Sequence, residues 1–472
     1  MPLILPGNVA SATAGAYDIA NSVRMNSADT AYFAKTPSAG DRAKWTFSVW
    51  FKIGNIPGAS SAHCFFSSGA SGADQAAIKI DSQVIHWWEY DHSASSFPGY
   101  LITNRKIRDP SAWYHLVCTW DSDNGTAGNR MRMYINGTEE TSFSTDTNPT
   151  SGFDSNINSN VLHEIGRQSF NSSGYFDGYF AEMAFCDGQA YAASDFGEFS
   201  EDSPTIWMPK DISGLTFGTR GWYLDFEDSA DLDDDESGNG NDWTLANLAA
   251  ADQMLDTPTN NFCVLNALTA RSDGTLSQGN LLFTHTAAGW GSTLGTFAPT
   301  AGKWYWESRQ SENTSSNGFP VGIYNVDSGL FHDQQQAQTP GHTTSTYGEG
   351  YAAYTDNGDY ASWRTNNVEA DTSFGSGDAA DIWQCAIDLD NQKIWFGQNN
   401  TWTGSGDPAN GTNATSTALT AGAAFAPITC SYDEDDDSEN FHHNFGADST
   451  FAGAISAGGN ADGNGYGDFV YA

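Results

Sequence analysis

Three runs of oxygen-bearing side chains could do chemistry by holding a hard cation. The first is Asp121, Asp123 and Asn124. The second is Asp231, Asp233, Asp234, Asp235 and Asp242, and the third is Asp433, Glu434, Asp435, Asp436 and Asp437. Calcium takes six to eight oxygens from carboxylates, amides and backbone carbonyls of flexible loops, so calcium is the cofactor these runs suggest. The second run fits best, because turn-forming residues surround it in Ser237-Gly-Asn-Gly-Asn-Asp242. None has the spacing of an EF-hand loop, and a solvated acidic loop is the alternative for each. A different chemistry is sugar stacking on exposed aromatic faces. His86-Trp-Trp-Glu-Tyr-Asp-His92 concentrates Trp87, Trp88 and Tyr90, and strand alternation sends Trp87 to one face and Trp88 to the other. At least one tryptophan therefore belongs to a core. Trp88 and Tyr90 share a face and are candidate glycan contacts, with sheet-face packing as the alternative. Trp402, within Asn399-Asn-Thr-Trp-Thr-Gly-Ser-Gly406, is a third candidate. His442-His443 makes a poor metal pair, since neighbours on a strand point apart. No Gly-x-Ser-x-Gly elbow, P-loop or His-Glu-x-x-His motif occurs.

These residues need a scaffold, and composition says which kind. The 472 residues suffice for two or three domains. Glycine is abundant at 49 residues and aromatics make up 13%, which suits an all-β protein with many turns. The formal charge of −39 comes from 58 acidic against 19 basic residues, so direct nucleic-acid binding is not expected. Aspartate dominates that excess with 43 residues against 15 glutamates, which places much of the charge in turns and loops. No run of 18 apolar residues occurs, so no membrane insertion is expected. The opening Met-Pro-Leu-Ile-Leu-Pro lacks the basic and apolar regions of a secretory signal, and export by that route is not expected. Cys64, Cys118, Cys186, Cys263, Cys385 and Cys430 are scattered without metal spacing and read as buried free thiols.

In residues 1–205, alternation puts Trp45, Phe47, Val49 and Phe51 on one strand face, and Met131, Met133 and Ile135 on another. Asn136-Gly137 is the sequence of a type I′ hairpin turn. The order of Phe47-Ser-Val-Trp50, Trp113-Tyr-His-Leu116, Tyr134-Ile-Asn-Gly137 and Phe176-Asp-Gly-Tyr179 with Glu182-Met-Ala-Phe185 resembles the laminin G-like branch of the concanavalin A-like jelly rolls. The resemblance implies two stacked antiparallel sheets. Residues 206–270 are rich in Asp, Gly and Asn and read as an acidic connector. Within it, Gly221-Trp-Tyr-Leu-Asp-Phe226 looks like a strand that either closes the first sandwich or begins a rudimentary repeat.

In residues 271–446, Gly302-Lys-Trp-Tyr-Trp-Glu307, Val321-Gly-Ile-Tyr324, the Asp381 to Phe396 hairpin and Asn444-Phe-Gly446 occur in the order of SPRY domains. That resemblance implies a second β-sandwich used for recognition. Residues 447–472 read as a mobile or docking tail. The expected fold is thus all-β, with two antiparallel β-sandwiches joined by the acidic connector. A laminin G-like unit followed by a SPRY unit resembles virion proteins of tailed, marine-type bacteriophages. The resemblance implies a virion component assembled in the host cytoplasm, bound to other virion proteins and commonly homo-oligomeric. On a fiber, spike or tail tip it would contact a host cell-surface glycan or protein; a decoration protein of capsid or tail is the rival. The concanavalin A-like fold also hosts glycoside hydrolases, but the Glu-x-Asp-x-Glu and Glu-x-Asp-x-x-Glu strands of its glucanase branch are absent. No enzyme activity is expected.

Overall fold

The computed structural model describes residues 17–58, 61–270, 274–285, 289–311, 317–328, 349–356, 360–365, 368–370, 380–433, 439–463 and 465–471. Among them every sheet is antiparallel, and the helical turns are short 3₁₀ segments. None is long and apolar enough to cross a membrane. The described residues fall into two compact units that meet in sequence at Asn261 and Phe262.

The first unit is a sandwich of two eight-stranded sheets. Sheet I pairs, in order, Thr138–Glu139, Met131–Ile135, Trp113–Asp121, Lys44–Ile53, Gly178–Asp187, Ser22–Met25 and Gln253–Met254, with Trp222–Leu224 added to Gly178–Asp187. Sheet II pairs Phe143–Thr147, Ser96–Lys106, Val84–Asp91, Gln75–Asp81, Ala62–Gly69, His163–Ile165, Tyr32–Lys35 and Thr244–Ala246. The period-2 reading holds. Trp45, Phe47, Val49 and Phe51 enter the core with Met131, Met133 and Ile135. The Trp45 and Trp120 indoles stack with centroids 6.0 Å apart, and Trp87 closes on Trp45 at 5.6 Å. Asn136 and Gly137 both take positive φ, as a type I′ turn requires. All six cysteines are free and buried.

The acidic connector needs correction. Residues 206–261 are part of the first sandwich, because the apolar residues scattered among the acids are spaced to bury. Trp222, Leu224, Phe226, Leu232 and Trp243 join its core. Thr244–Ala246 and Gln253–Met254 extend the edges of both sheets. Of the two readings left open for the 221–226 strand, closure of the sandwich is the one seen. The segment is fastened by a fully buried ion pair, Lys52 Nζ to Asp256 Oδ2 at 2.7 Å, with Trp113 Nε1 donating to Asp256 Oδ1 at 2.9 Å.

The second unit is another sandwich. Sheet III pairs Gly274–Ser277, Leu282–His285, Glu439–Asn444, Lys303–Gln310, Ile382–Asp388, Lys393–Gln398 and Thr401–Trp402. Sheet IV pairs Gly289–Leu294, Phe425–Asp433, Asn317–Phe319, Gly350–Asp356, Tyr360–Thr365 and Val368–Ala370, while Gly322–Asn325 pairs both Gly350–Asp356 and Phe425–Asp433. The Asp381 to Phe396 segment forms the expected hairpin. The described part of the tail docks on this unit. Phe451 and Phe469 are buried, and the Glu307 carboxylate accepts the N–H groups of Val470 at 2.9 Å and Tyr471 at 2.8 Å.

Candidate functional site

The outer face of sheet II carries the most developed array of exposed rings in the first unit. It is built on the hairpin of Val84–Asp91 and Ser96–Lys106. Ile85 and Trp87 point into the core, and so His86, Trp88 and Tyr90 point out. The register places Ala77, Trp88 and Tyr100 side by side. The turn between the strands is pinned by Asp91, whose Oδ1 accepts Ser93 Oγ at 2.8 Å and the Ala94 N–H at 2.9 Å. Those donors hold the Asp91 carboxyl below its ordinary range. A register shift between Glu89 and Asp91 lets Phe97 fold back over this face.

The result is a continuous aromatic shelf. Phe97 lies 5.0 Å from Tyr90, 5.0 Å from Tyr100 and 5.8 Å from Trp88, centroid to centroid. Phe170 closes the far side of Trp88 at 5.4 Å. It is delivered by residues 167–170, which run along the sheet as Ser67 Oγ donates to the Arg167 carbonyl at 2.8 Å and accepts the Ser169 N–H at 2.9 Å. Phe97 is 43% exposed and Trp88 only 7%, so Trp88 is the floor and Phe97 the presented ring. The rim is polar. His86 Nδ1 and Tyr100 Oη are 3.0 Å apart, and Lys79 pairs with Asp81 at 2.9 Å. Burial lowers the pKa of His86 and raises that of Tyr100, so both are neutral hydrogen-bonding groups near pH 7.

Another cluster belongs to the same unit. Arg167 makes a bidentate pair with buried Glu164, and its guanidinium carbon sits 3.7 Å from the Tyr32 ring centroid. Tyr175 lies 6.4 Å from Tyr32. This is a cation held on aromatic faces.

Of the residues singled out by sequence, Trp88 and Tyr90 are brought together on the shelf. Trp402 lies in the second unit. It is half-buried on the edge strand Thr401–Trp402, 6.3 Å from Tyr305, and lies across Gly397, where a Cβ would come within 3.1 Å of the indole. Sequence reasoning missed Phe97, Phe170 and Tyr100. Tyr100 was findable from hairpin pairing. Phe97 depends on a bulge and Phe170 on a long-range loop, neither of which has a local signal.

Among the described residues, the acidic side chains Asp121, Asp235 and Asp242 sit in hydrogen-bonded turns. Asp235 Oδ1 accepts the N–H groups of Tyr223 and Ser237, both at 2.9 Å, and Oδ2 accepts that of Asn241 at 2.8 Å. Asp242 Oδ1 accepts the Asp235 N–H at 3.3 Å. Desolvation and the neighbouring Asp231 raise Asp233, while desolvation, Asp242 and Asp231 raise Asp234. Asp121 lies 4.0 Å from Lys44 and accepts from Asn124 Nδ2 at 3.4 Å, while Asp123 is exposed. Among the described residues no three His, Cys, Asp or Glu side chains converge to hold a metal ion. Of the third run, residues 434–437 lie outside the described residues, and for Asp433 only the backbone is described. His442 turns to Phe451 and His443 stacks on Phe445, so the two rings point apart.

Residues 26–193 match a family model described as the concanavalin A-like lectin/glucanases superfamily, of the laminin G type. The first unit thus contains a concanavalin A-like domain. Solved structures similar to the chain include two SPRY domains and a pentraxin. The SPRY domain of human HERC1 is 18% identical, covers 38% of this chain and 96% of its own, and has a TM-score of 0.28. The PSpry domain of TRIM65 is 12% identical over 39% of this chain and 92% of its own, with a TM-score of 0.28. A native heptameric SAP-like pentraxin from Limulus polyphemus is 15% identical over 42% of this chain and 100% of its own, again at 0.28. No curated protein matches the chain.

Proposed function

We propose that this chain is a non-enzymatic recognition protein, and that its first sandwich binds glycan on the outer face of sheet II. The observation that carries the proposal is the Phe97 ring, 43% exposed and braced by Tyr90, Tyr100 and Trp88. A preformed apolar shelf with a polar rim suits the C–H face and hydroxyls of a sugar, and it loses little entropy on binding. The virion context, a fiber, spike or tail-tip component of a tailed phage meeting its host, rests on the sequence resemblance. The non-catalytic part has support from where the perturbed carboxyls lie. Burial pushes Glu89 up to about 8, Glu182 to about 7 and Asp177 to about 6, yet these groups bond Ser155, two tyrosines and Ser27 in the interior.

One observation favours the decoration role as a second reading. The hairpin of Gly197–Phe199 and Trp207–Pro209 exposes Phe199 and Ile206, each 43% accessible, as a protein contact would.

The test is binding of the labelled full chain to host cells and to a glycan array. Phe97→Ala and Tyr90→Ala should each weaken glycan binding about tenfold, the loss of roughly one stacked ring. Binding unchanged in both variants would sink the shelf. Binding to virion subunits but to no glycan would favour the decoration reading.

A further inference from the structure

On sheet I a lysine, an acid and an amide meet at one nitrogen. Phe51 and Ile53 of the strand Lys44–Ile53 enter the core, so Lys52 between them faces the other way. It is nevertheless fully buried, as is Asp256. The register seats Lys52 between Trp113 and Tyr179 of the neighbouring strands, whose rings are 6.2 Å apart. Residues 256–261 supply its polar partners. Thr257 and Asn260 exchange two backbone hydrogen bonds of 3.2 Å, with Pro258 at the second position of the turn they close. That turn brings its two flanking residues, Asp256 and Asn261, to the same place. Lys52 Nζ donates to Asp256 Oδ2 at 2.7 Å and to Asn261 Oδ1 at 2.8 Å.

Both acceptors are also fixed from behind. Trp113 Nε1 donates to Asp256 Oδ1 at 2.9 Å, and Asn261 Nδ2 donates to the Ser111 carbonyl at 2.9 Å. The carboxylate is thus held by its far oxygen and the amide by its nitrogen, each in one orientation. A lysine amine taken out of water becomes a nucleophile once its proton passes to the adjoining carboxylate, and that passage cancels two buried charges. A primary amide is a poor electrophile in water. Holding amine and amide in contact inside a fold turns a slow bimolecular step into an intramolecular one. Asn261 is half-buried, so a group expelled from its side chain has a way out.

We propose that Lys52 and Asn261 join through an isopeptide bond, formed by the folded chain itself with Asp256 as the acid–base group. Asp256 takes a proton from Lys52 Nζ. The amine nitrogen then attacks Asn261 Cγ, and the new C–N bond replaces the bond to Nδ2. Of the two protons that Lys52 gives up, one stays on Asp256 and the other reaches Nδ2, which leaves as ammonia. The exchange needs no oxidant, and it leaves the buried site without net charge. The link closes residues 52–261 into a loop, and Asn261 is the last residue of the first unit. Tension applied through Phe262 would pass from Asn261 straight to the strand Lys44–Ile53, bypassing the chain between them. The loop also restricts the unfolded chain, which favours the folded one. No shelf residue takes part, so this assignment and the glycan reading stand or fall separately.

The experiment is intact-mass spectrometry of the denatured full chain, followed by tryptic peptide mapping. After allowance for any removal of Met1, the parent chain should be lighter than its sequence by one ammonia. A branched peptide should join the segment holding Lys52 to the one holding Asn261, and trypsin should not cut after Lys52. Asn261→Ala keeps the Lys52–Asp256 pair and with it the fold. This variant should have its full sequence mass, release Lys52 to trypsin, and run behind the looped parent chain on a denaturing gel. Asp256→Asn and Lys52→Met should also have full mass, but each strands a buried charge, so Asn261→Ala is the diagnostic change. A folded parent chain at full sequence mass, cut by trypsin after Lys52, would overturn the proposal and leave an ordinary ion pair. Loss of ammonia without the branched peptide would overturn it too, placing the loss at another amide.

Discussion

Replacing Asp256 by Ala should unfold the first sandwich far more easily than any other single change in residues 206–261. Asp256 and Lys52 are both fully buried, 2.7 Å apart, and Trp113 Nε1 donates to the second carboxylate oxygen. Removing one partner leaves the other charge in a low-dielectric interior, which costs about 3–5 kcal/mol. For a unit of this size each kcal/mol lowers the melting temperature by roughly 2–4 °C, so the transition should fall by about 6–20 °C. Lys52→Met should do comparable damage. The double variant Lys52→Met with Asp256→Leu should recover at least about 1 kcal/mol relative to either single change, because an apolar pair of similar volume leaves no charge stranded. Urea unfolding followed by near-ultraviolet circular dichroism measures all three. A loss below about 1 kcal/mol for both single variants would refute the reasoning. It would mean that the pair is solvated and that residues 206–261 do not close the sandwich.

Other predictions follow from the same physics. The Glu89 carboxyl has a folded-state pKa raised from 4.5 to about 8, so its contribution is complete below about 4.5 and is lost as pH rises through about 8. Urea midpoints should therefore fall across that window in the parent chain and less steeply in Glu89→Gln; parallel profiles would show Glu89 ionised throughout. The buried rings of His63 and His163, lowered to about 4, and of His115, lowered to about 3, act in the opposite sense, with stability lost as pH falls from 6.5 toward those values. A stop before Phe469 removes a buried ring and two backbone donors from Glu307, and should cost the second unit more than about 3 kcal/mol; an unchanged unfolding curve would show that the tail does not dock. Excess chelator tests calcium directly: because the Asp235 and Asp242 oxygens accept backbone N–H groups, the melting temperature should stay unchanged, and a clear drop would place calcium in the loop at residues 231–242.

Short-range physics made much of the fold readable in the sequence. Alternation with period two places Trp45, Phe47, Val49 and Phe51 in one core, and it separates Trp87 from Trp88, because a strand has only two faces. Asn136-Gly137 specifies its turn because both residues tolerate positive φ. The order of such segments was enough for two sandwiches and for the concanavalin A-like domain. What the sequence could not show was decided by contacts between distant residues. Acidic, turn-rich composition masks the five apolar residues that carry residues 206–261 into the core, and the partner of Asp256 is Lys52, some two hundred positions away. The calcium expectation for the acidic loop comes from counting carboxylates, whereas the three backbone N–H groups that reach Asp235 are set by the fold. The shelf follows the same rule. Trp88 and Tyr90 were legible as strand residues, but exposure belongs to Phe97, which reaches the face only through a register shift.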